Sequence, residues 1–249
     1  MEKTMDKLWF IPPTDFVSNL NDDDRTSLLS LGNKKTFRKN ELIFQAGSHG
    51  DHVYILLDGR AKIYQLAPKG KEVIMWFCFH GEMFGLAEVA RGGSREVYAR
   101  ACSDSDIIRI RQDDFKAFLA NNPHVALLTI DLLSCRLRVL GDMLINLTAD
   151  DVTSRVIKLL TRLSARYGKR VGDDIYLDIP LTHQEIADMI STSRQTVSTI
   201  MGELKRKGVL RTENHCIHIQ EPELLEHMIG DRNPDKVVSI SNMKNKQTK

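Results

Sequence analysis

Several common chemical signatures are missing from this chain of 249 residues. Its four cysteines, Cys78, Cys102, Cys135 and Cys216, lie far apart with no Cys-x-x-Cys pair. That excludes a disulfide framework and any sequential zinc or iron–sulfur motif. No apolar run approaches the roughly 18 residues that a membrane helix needs, so no membrane partner is expected. The opening residues, Met-Glu-Lys-Thr-Met-Asp-Lys, lack a signal peptide's apolar stretch, and the expectation is a cytoplasmic protein. No Gly-rich loop ends in Lys-Ser or Lys-Thr, and no Ser nucleophile elbow is present. His49-x-x-His52 and His215-x-x-His218 imitate metal spacing only superficially, because on strands the two rings would point to opposite sides. No enzyme chemistry is therefore expected.

The net charge of +2 is too small to announce a nucleic-acid partner. What matters is its distribution. Between Arg194 and Arg211 stand five basic residues (Arg194, Lys205, Arg206, Lys207 and Arg211) against Glu203 alone, a local excess of four in 18 residues. Such a stripe suits phosphate, although a solvated helix face would look the same on charge alone.

The first third reads as strands and turns, within a length that allows one large domain or two modest ones. Val53-Tyr54-Ile55-Leu56-Leu57, the tight-turn pair Asp58-Gly59 and Ala61-Lys62-Ile63-Tyr64-Gln65-Leu66 form a hairpin signal. Pro68-Lys69-Gly70 makes the next turn, and strands follow at 73–79, 97–101 and 107–110. Gly81, Gly85 and the Gly92-Gly93 pair punctuate the series. Short strands with Gly-rich turns predict an antiparallel barrel or jelly roll over roughly residues 30–112.

Helical periodicity takes over near Asp113. After Pro123, Ile130, Leu133, Leu137, Leu140, Leu144 and Leu147 recur at spacings of 3, 4, 3, 4 and 3. This a/d seam predicts a helix shared between two subunits. A helix packed only on its own domain is the alternative, but it would carry a wider apolar stripe.

A second unit begins near Ala149. Asp150-Asp151 precedes a helix with Val156, Leu159, Leu160 and Leu163 on one face. Ile175-Tyr176-Leu177 and Ile179 are short strand candidates, closed by Pro180. Thr182-His183-Gln184-Glu185 is a capping box, with Ile186, Ala187 and Ile190 as the apolar face behind it. Ser191-Thr192-Ser193 makes a turn, with Ser191 where glycine is commonest. Val197, Ile200, Met201 and Leu204 face the next helix inward, and Gly208 ends it. A hairpin over 209–219, turning at Glu213-Asn214, completes a winged helix-turn-helix.

In such a motif the first turn of the second helix meets base edges. Here that turn is Ser193-Arg194-Gln195-Thr196, with Thr199 one turn on. Arg194 can grip guanine with two hydrogen bonds and Gln195 suits adenine. Thr182, Gln184 and Ser193 stand at helix N-termini, which favour phosphate, and Lys205 adds a phosphate contact. The alternative is a helical hairpin that binds no DNA, in which Gln195 would only cap its helix.

These motifs together resemble a family. Tyr54-Ile55-Leu56-Leu57-Asp58-Gly59-Arg60-Ala61-Lys62-Ile63, Gly81-Glu82-Met83-Phe84-Gly85, the long helix, and Thr182 to Ala187 with Ser193 to Ser198 are similar to the cyclic-AMP receptor protein and fumarate–nitrate regulator (CRP/FNR) family. The resemblance covers about residues 15 to 228. It implies an α+β bacterial transcription regulator working as a homodimer on double-stranded DNA, with RNA polymerase as a partner. The implied order is an effector-sensing β-roll of cyclic-nucleotide-binding type with N-terminal helices (1–120), a dimerisation helix (121–148) and a winged helix-turn-helix (149–230). A tail at 231–249, polar and basic, is expected to be disordered. Asp151 falls where the family often places an Asp before its DNA-binding domain.

Departures from the family pattern bear on the effector. By resemblance the pocket comprises Gly85, Leu86, Glu88, Arg95, Glu96, Leu140 and Gly141. Cyclic-AMP binders use Gly-Glu-Leu and then Arg-Ser to hold ribose and phosphate. Here Gly85 is followed by Leu86, Glu88 comes two residues late, and Glu96 stands beside Arg95, where it would repel a phosphate and could pair with the arginine. Leu140 and Gly141 replace the hydroxyls offered to adenine. An unknown small-molecule effector other than cyclic AMP is expected. The iron–sulfur branch needs an N-terminal cysteine cluster, and no cysteine precedes Cys78. The haem-sensing branch shares the recognition turn, but its Cys and His ligands align with Gly85 and Ala87. Cys78 and His80, two apart on a predicted strand beside Trp76, leave haem or a metal as an alternative, and a cupin-type small-molecule enzyme is the reading from another class.

Overall fold

A computed structural model describes residues 15–230, apart from 173, 178, 214 and 215, so the expected tail at 231–249 and the turn residue Asn214 lie outside the described residues. The chain forms two compact units that divide between Asp142 and Met143.

The first unit opens with helix α1 (Asp22–Ser30), whose first turn is capped by the Asn21 side chain accepting from the Asp24 N–H. Eight strands follow: β1 (Gly32–Phe37), β2 (Leu42–Phe44), β3 (His52–Asp58), β4 (Ala61–Leu66), β5 (Glu72–Cys78), β6 (Met83–Phe84), β7 (Tyr98–Ala101) and β8 (Ser105–Arg111). They pair antiparallel in two sheets of order β1-β8-β3-β6 and β2-β7-β4-β5. Between the sheets lie Phe37, Phe44, Tyr54, Leu56, Ile63, Phe84 and Ile107. The other face of the first sheet, with Val53, Ile55, Ile108 and Ile110, packs against Leu28 and against Phe115 and Phe118 of α2 (Gln112–Asn121). Strand β3 is thus buried on both sides, which explains an unbroken apolar run where a half-buried strand would alternate.

The sheet partition corrects one expectation. β3 pairs with β8 and β6, whereas β4 pairs with β5 and β7, so the two runs around Asp58-Gly59 are not a hairpin. Gly59 makes a corner that passes the chain from one sheet to the other. Its φ is +89° and a Cβ there would come within 2.4 Å of the Asp104 carbonyl oxygen. A tight turn marks a change of direction but not who pairs beyond it. The hairpin is β4–β5, across Pro68-Lys69-Gly70.

Helix α3 (Pro123–Ala149) runs about 40 Å at 1.5 Å per residue. One face buries Val125, Thr129, Leu132, Cys135 and Arg136. On the face given to the seam, Ile130, Leu133, Leu137, Leu144 and Leu147 are exposed, Leu137 at 72%, while Leu140 is half-buried. Leu127 and Ile145 extend this apolar surface. No helix among the described residues is long and apolar enough to cross a membrane.

The second unit holds α4 (Val152–Tyr167), β9 (Gly168–Val171), β10 (Asp174–Leu177), α5 (His183–Met189), α6 (Arg194–Arg206), β11 (Leu210–Glu213), β12 (Cys216–Ile219) and α7 (Pro222–Gly230). Asp151 caps α4, its carboxylate accepting from the Ser154 N–H at 2.7 Å. The sheet order is β11-β12-β10-β9. Ile179, expected in a strand, lies in a bend, and the antiparallel partner of β10 on that side is β9. Gly-Lys-Arg-Val is exposed along its whole length, so this edge strand carries no hydrophobic alternation to betray it.

Candidate nucleic-acid interface and the β-roll cassette

The helix pair α5–α6 is set by local hydrogen bonds. Thr182 Oγ1 accepts from the Glu185 N–H at 3.1 Å while the Glu185 carboxylate accepts from the Thr182 N–H at 2.9 Å. This closes the expected capping box. At the other end of α5 the Thr192 N–H reaches back to the Ala187 carbonyl at 3.0 Å, with Ser191 at φ +56°. The turn demands a left-handed residue, and serine accepts it where glycine would be unstrained. Ser193 caps α6 through its hydroxyl, which accepts from the Thr196 N–H at 3.1 Å. The helix ends in a Schellman motif: Val209 N–H to Leu204 carbonyl, Gly208 N–H to Lys205 carbonyl, with Gly208 at φ +71°. Val197, Ile200, Met201 and Leu204 face inward as the spacing predicts.

The outward residues divide into two depressions. Thr182, His183, Gln184, Arg194 and Lys205, with Leu181 and Thr212, line a cleft of about 630 Å³. Gln195, Thr196 and Thr199, with Val152, Thr153, Ile200 and Glu203, line a shallower one. Four of the seven predicted DNA contacts therefore share the first cleft, and Gln195 and Thr199 share the second. Ser193 is exposed between the two helices as the cap.

The side chains differ in what already holds them. Arg194, Gln195 and Lys205 are exposed, and their side chains make no hydrogen bond or ion pair among the described residues. Gln195 does not cap its helix. The Thr182 and Ser193 hydroxyls are engaged in capping, and the Gln184 amide donates to Asp188 at 2.8 Å. Of the helix-end residues, only backbone N–H groups and the second Gln184 N–H remain for a phosphate. Thr199 turns its hydroxyl to the Gln195 carbonyl at 3.2 Å, which leaves its methyl as the group available to a base. His183, not among the predicted contacts, sits in the cleft with Nδ1 2.8 Å from Ser198 Oγ. Burial and then the nearby Lys205 and Arg194 charges hold its imidazole below the ordinary histidine value. Its place inside the capping box was the signal available.

In the β-roll, Gly85, Glu88 and Arg95 come together. Arg95 is 2% exposed and Glu88 7%. Arg95 donates to the Glu88 carboxylate, to the His52 carbonyl, and to the Gly85 carbonyl at 3.1 Å. It also lies over the Phe44 ring, 4.4 Å from its centroid, with Tyr54 at 5.7 Å. Burial pushes the Tyr54 phenol above its ordinary value, against the pull of Arg95 and Arg109. The surroundings are tight. A Cβ on Gly85, whose φ is +74°, would stand 2.9 Å from the Tyr54 ring, and one on Gly50 would stand 2.6 Å from Glu88 Cγ.

Three expectations for this cassette are corrected. Glu96 does not pair with Arg95: it lies exposed in a bend before β7, and the buried guanidinium is taken by Glu88 instead. Leu86 joins the core beneath the helices rather than the cluster around Phe44 and Tyr54. Cys78 and His80 do not converge either. Cys78 is fully buried between the sheets, whereas His80 lies past the end of β5, exposed, with Nδ1 against the Leu57 carbonyl. A haem or metal held by this pair does not fit, and no cluster of three or more metal-ligating side chains occurs among the described residues. Leu140 and Gly141 stand next to each other on α3, with nothing within 4 Å of a Cβ placed on Gly141.

A two-sheet β-roll with a buried arginine cassette, a long helix with an apolar outer face and a winged helix-turn-helix define a transcription regulator. The family model of the cyclic nucleotide-binding domain matches residues 34–122, and that of the Crp-like helix-turn-helix domain matches residues 154–228. The chain belongs to the CRP/FNR family of transcription regulators, whose members here are regulators and not enzymes. It is 29% identical over 189 residues to the CRP-like cAMP-activated global transcriptional regulator of Mycobacterium tuberculosis, covering 76% of this chain and 84% of that protein. It is 28% identical to the global nitrogen regulator of a Nostoc species, covering 77% and 86%. A CooA variant from Carboxydothermus hydrogenoformans has the same fold, with a TM-score of 0.74, 21% identity and coverage of 86% and 95%.

Proposed function

We propose that the protein is a cytoplasmic homodimer that binds a palindromic DNA site and is controlled by a small molecule other than cyclic AMP sensed in its β-roll. The observation that carries the DNA half is the set of uncommitted donors on α6: the side chains of Arg194, Gln195 and Lys205 make no hydrogen bond or ion pair among the described residues. The seam along α3 supports a second copy of the chain as the occupant of its exposed leucines. A two-fold pair of recognition helices would meet half-sites whose centres are about 34 Å apart. RNA polymerase is the protein partner that the family implies.

The observation against cyclic AMP is that Arg95, the family's phosphate-binding arginine, already has a carboxylate, two carbonyls and two aromatic faces around it. A cyclic phosphate would have to displace Glu88 from a buried pair. The cAMP activation named for the mycobacterial relative is accordingly not carried over to this chain.

Selection of binding sites from a random-sequence library tests the DNA half. A palindrome with one required guanine per half-site, flanked by an A·T preference from Gln195 and Thr199, is the expected result. In Arg194→Ala that guanine should lose its hold and affinity should fall by about 1–3 kcal/mol per half-site. A mutant that selects the same guanine with undiminished affinity would exclude α6 as the groove-reading helix.

A further inference from the structure

The first cleft contains a titratable group that the DNA reading does not use. His183 is the first residue of α5, and its ring meets α6 at Ser198. The Ser198 hydroxyl has one proton, and it donates that proton to the Arg194 carbonyl at 3.0 Å. Ser198 Oγ can therefore only accept from His183, which fixes the proton of the neutral ring on Nδ1. Nε2 is left with a bare lone pair and no partner among the described residues.

Every charged group that lines the cleft with this ring is a cation. Arg194 and Lys205 come from α6, and the remaining lining from α5 and β11, Thr182, Gln184 and Thr212, is neutral. The nearby carboxylates are turned elsewhere: Glu185 holds Thr182 and Asp188 holds Gln184. In the free protein partial burial, and then these cations, hold the ring's pKa below the ordinary histidine value. A DNA phosphate drawn between Arg194 and Lys205 reverses both influences. It screens the two cations, and its oxygens carry only lone pairs, so they repel an unprotonated Nε2 and attract a protonated one.

We propose that His183 takes up a proton on Nε2 from solvent as a backbone phosphate enters this cleft, so that DNA binding tightens as pH falls. The step adds one proton to the complex per occupied cleft and leaves the Nδ1–H bond to Ser198 intact. It rests on the DNA reading above. The linkage acts between the depressed value of the free protein and the raised value of the complex. Above that window the ring is neutral in both states and affinity is flat. Inside it, affinity gains up to roughly tenfold per pH unit per subunit.

The test is the affinity of the full chain for a short mixed-sequence duplex at low salt, measured from pH 8 down to pH 5.5. The heat of binding is measured at one pH in two buffers of different ionisation enthalpy. Wild type should bind more tightly as pH falls and take up a measurable fraction of a proton per subunit. His183→Gln should lose the proton uptake and the difference in slope, and His183→Arg should bind more tightly than wild type at pH 8 with a flattened slope. Both variants are first checked for native circular dichroism and thermal transition, and if His183→Gln is unfolded the His183→Arg slope decides alone. A wild-type complex with no proton uptake, or a His183→Gln complex that keeps it, overturns the proposal while leaving the DNA reading standing. No binding by wild type at any pH overturns both.

Discussion

Arg95 and Arg194 carry the same guanidinium into opposite circumstances. Arg95 is buried in the β-roll with its two terminal nitrogens donating to Glu88, Gly85 and His52. Arg194 stands at the start of α6, exposed and, among the described residues, without a hydrogen-bond or ion-pair partner for its side chain. Burial of a charge is tolerated only when partners replace water, so the first arginine is a structural element of its unit. A guanidinium left in water keeps its donors for a ligand. The contrast shows that a residue matching a family's binding position is informative only once its present partners are known.

The comparison can be broken most forcefully at the apolar seam, where side chains are exposed as Arg194 is but have no polar function to explain it. Leu137→Asp should leave the single chain folded, because Leu137 is exposed, yet place a charge in the proposed interface from both subunits. Burying an unpaired charge costs at least several kcal/mol, enough to dissociate a dimer of ordinary affinity. Sedimentation should show a folded monomer. A variant that stays dimeric moves the interface off this face.

Next in size is Glu88→Ala. It strands the Arg95 charge in a buried site, with an expected loss of about 3–5 kcal/mol in the stability of the β-roll. Trp76 lies in β5, so the fluorescence change on unfolding in urea that it reports follows this unit. Added phosphate should raise the midpoint of the variant more than that of wild type, since the anion replaces the missing carboxylate. Calorimetry of wild type with cyclic AMP should show no binding. Tight binding there would mean that Glu88 yields readily and that the two arginines are less different than their surroundings suggest.

The smallest effect is expected at Ser191→Gly. A left-handed non-glycine residue costs about 1 kcal/mol, partly offset by the greater freedom of glycine in the unfolded chain, about 0.4–1 kcal/mol. A rise in thermal midpoint of a degree or two follows for the winged helix. A clear loss would show that the serine holds something in the turn.

Legibility in the sequence followed the range of the interactions. The second unit's helix-turn-helix could be placed because capping boxes, the Ser191 turn and the 3.6-residue period act within a few positions. The helix α3 and its exposed apolar face were legible for the same reason. β9 was not, since an exposed edge strand leaves no pattern. The cassette was half legible. Arg95 was identified by position, but its partner was expected next door at Glu96 and is Glu88, seven residues earlier across a loop. For His183, the capping-box spacing gave its place on α5 but not the chemistry of its ring, which depends on α6.

The corner at Gly59 has a consequence for how the chain is born. Because β3 pairs with β8 and not with β4, His52 must wait for Arg111, and Tyr54 for Arg109. At about 5–20 residues per second a ribosome takes roughly 3–12 s to add that stretch. During this interval β4 and β5 can already zip across their short turn, while Val53, Tyr54, Ile55 and Leu56 remain without the strand that completes their sheet. The most apolar run of the β-roll therefore waits, with only the two-residue strand β6 beside it, until β8 has been made.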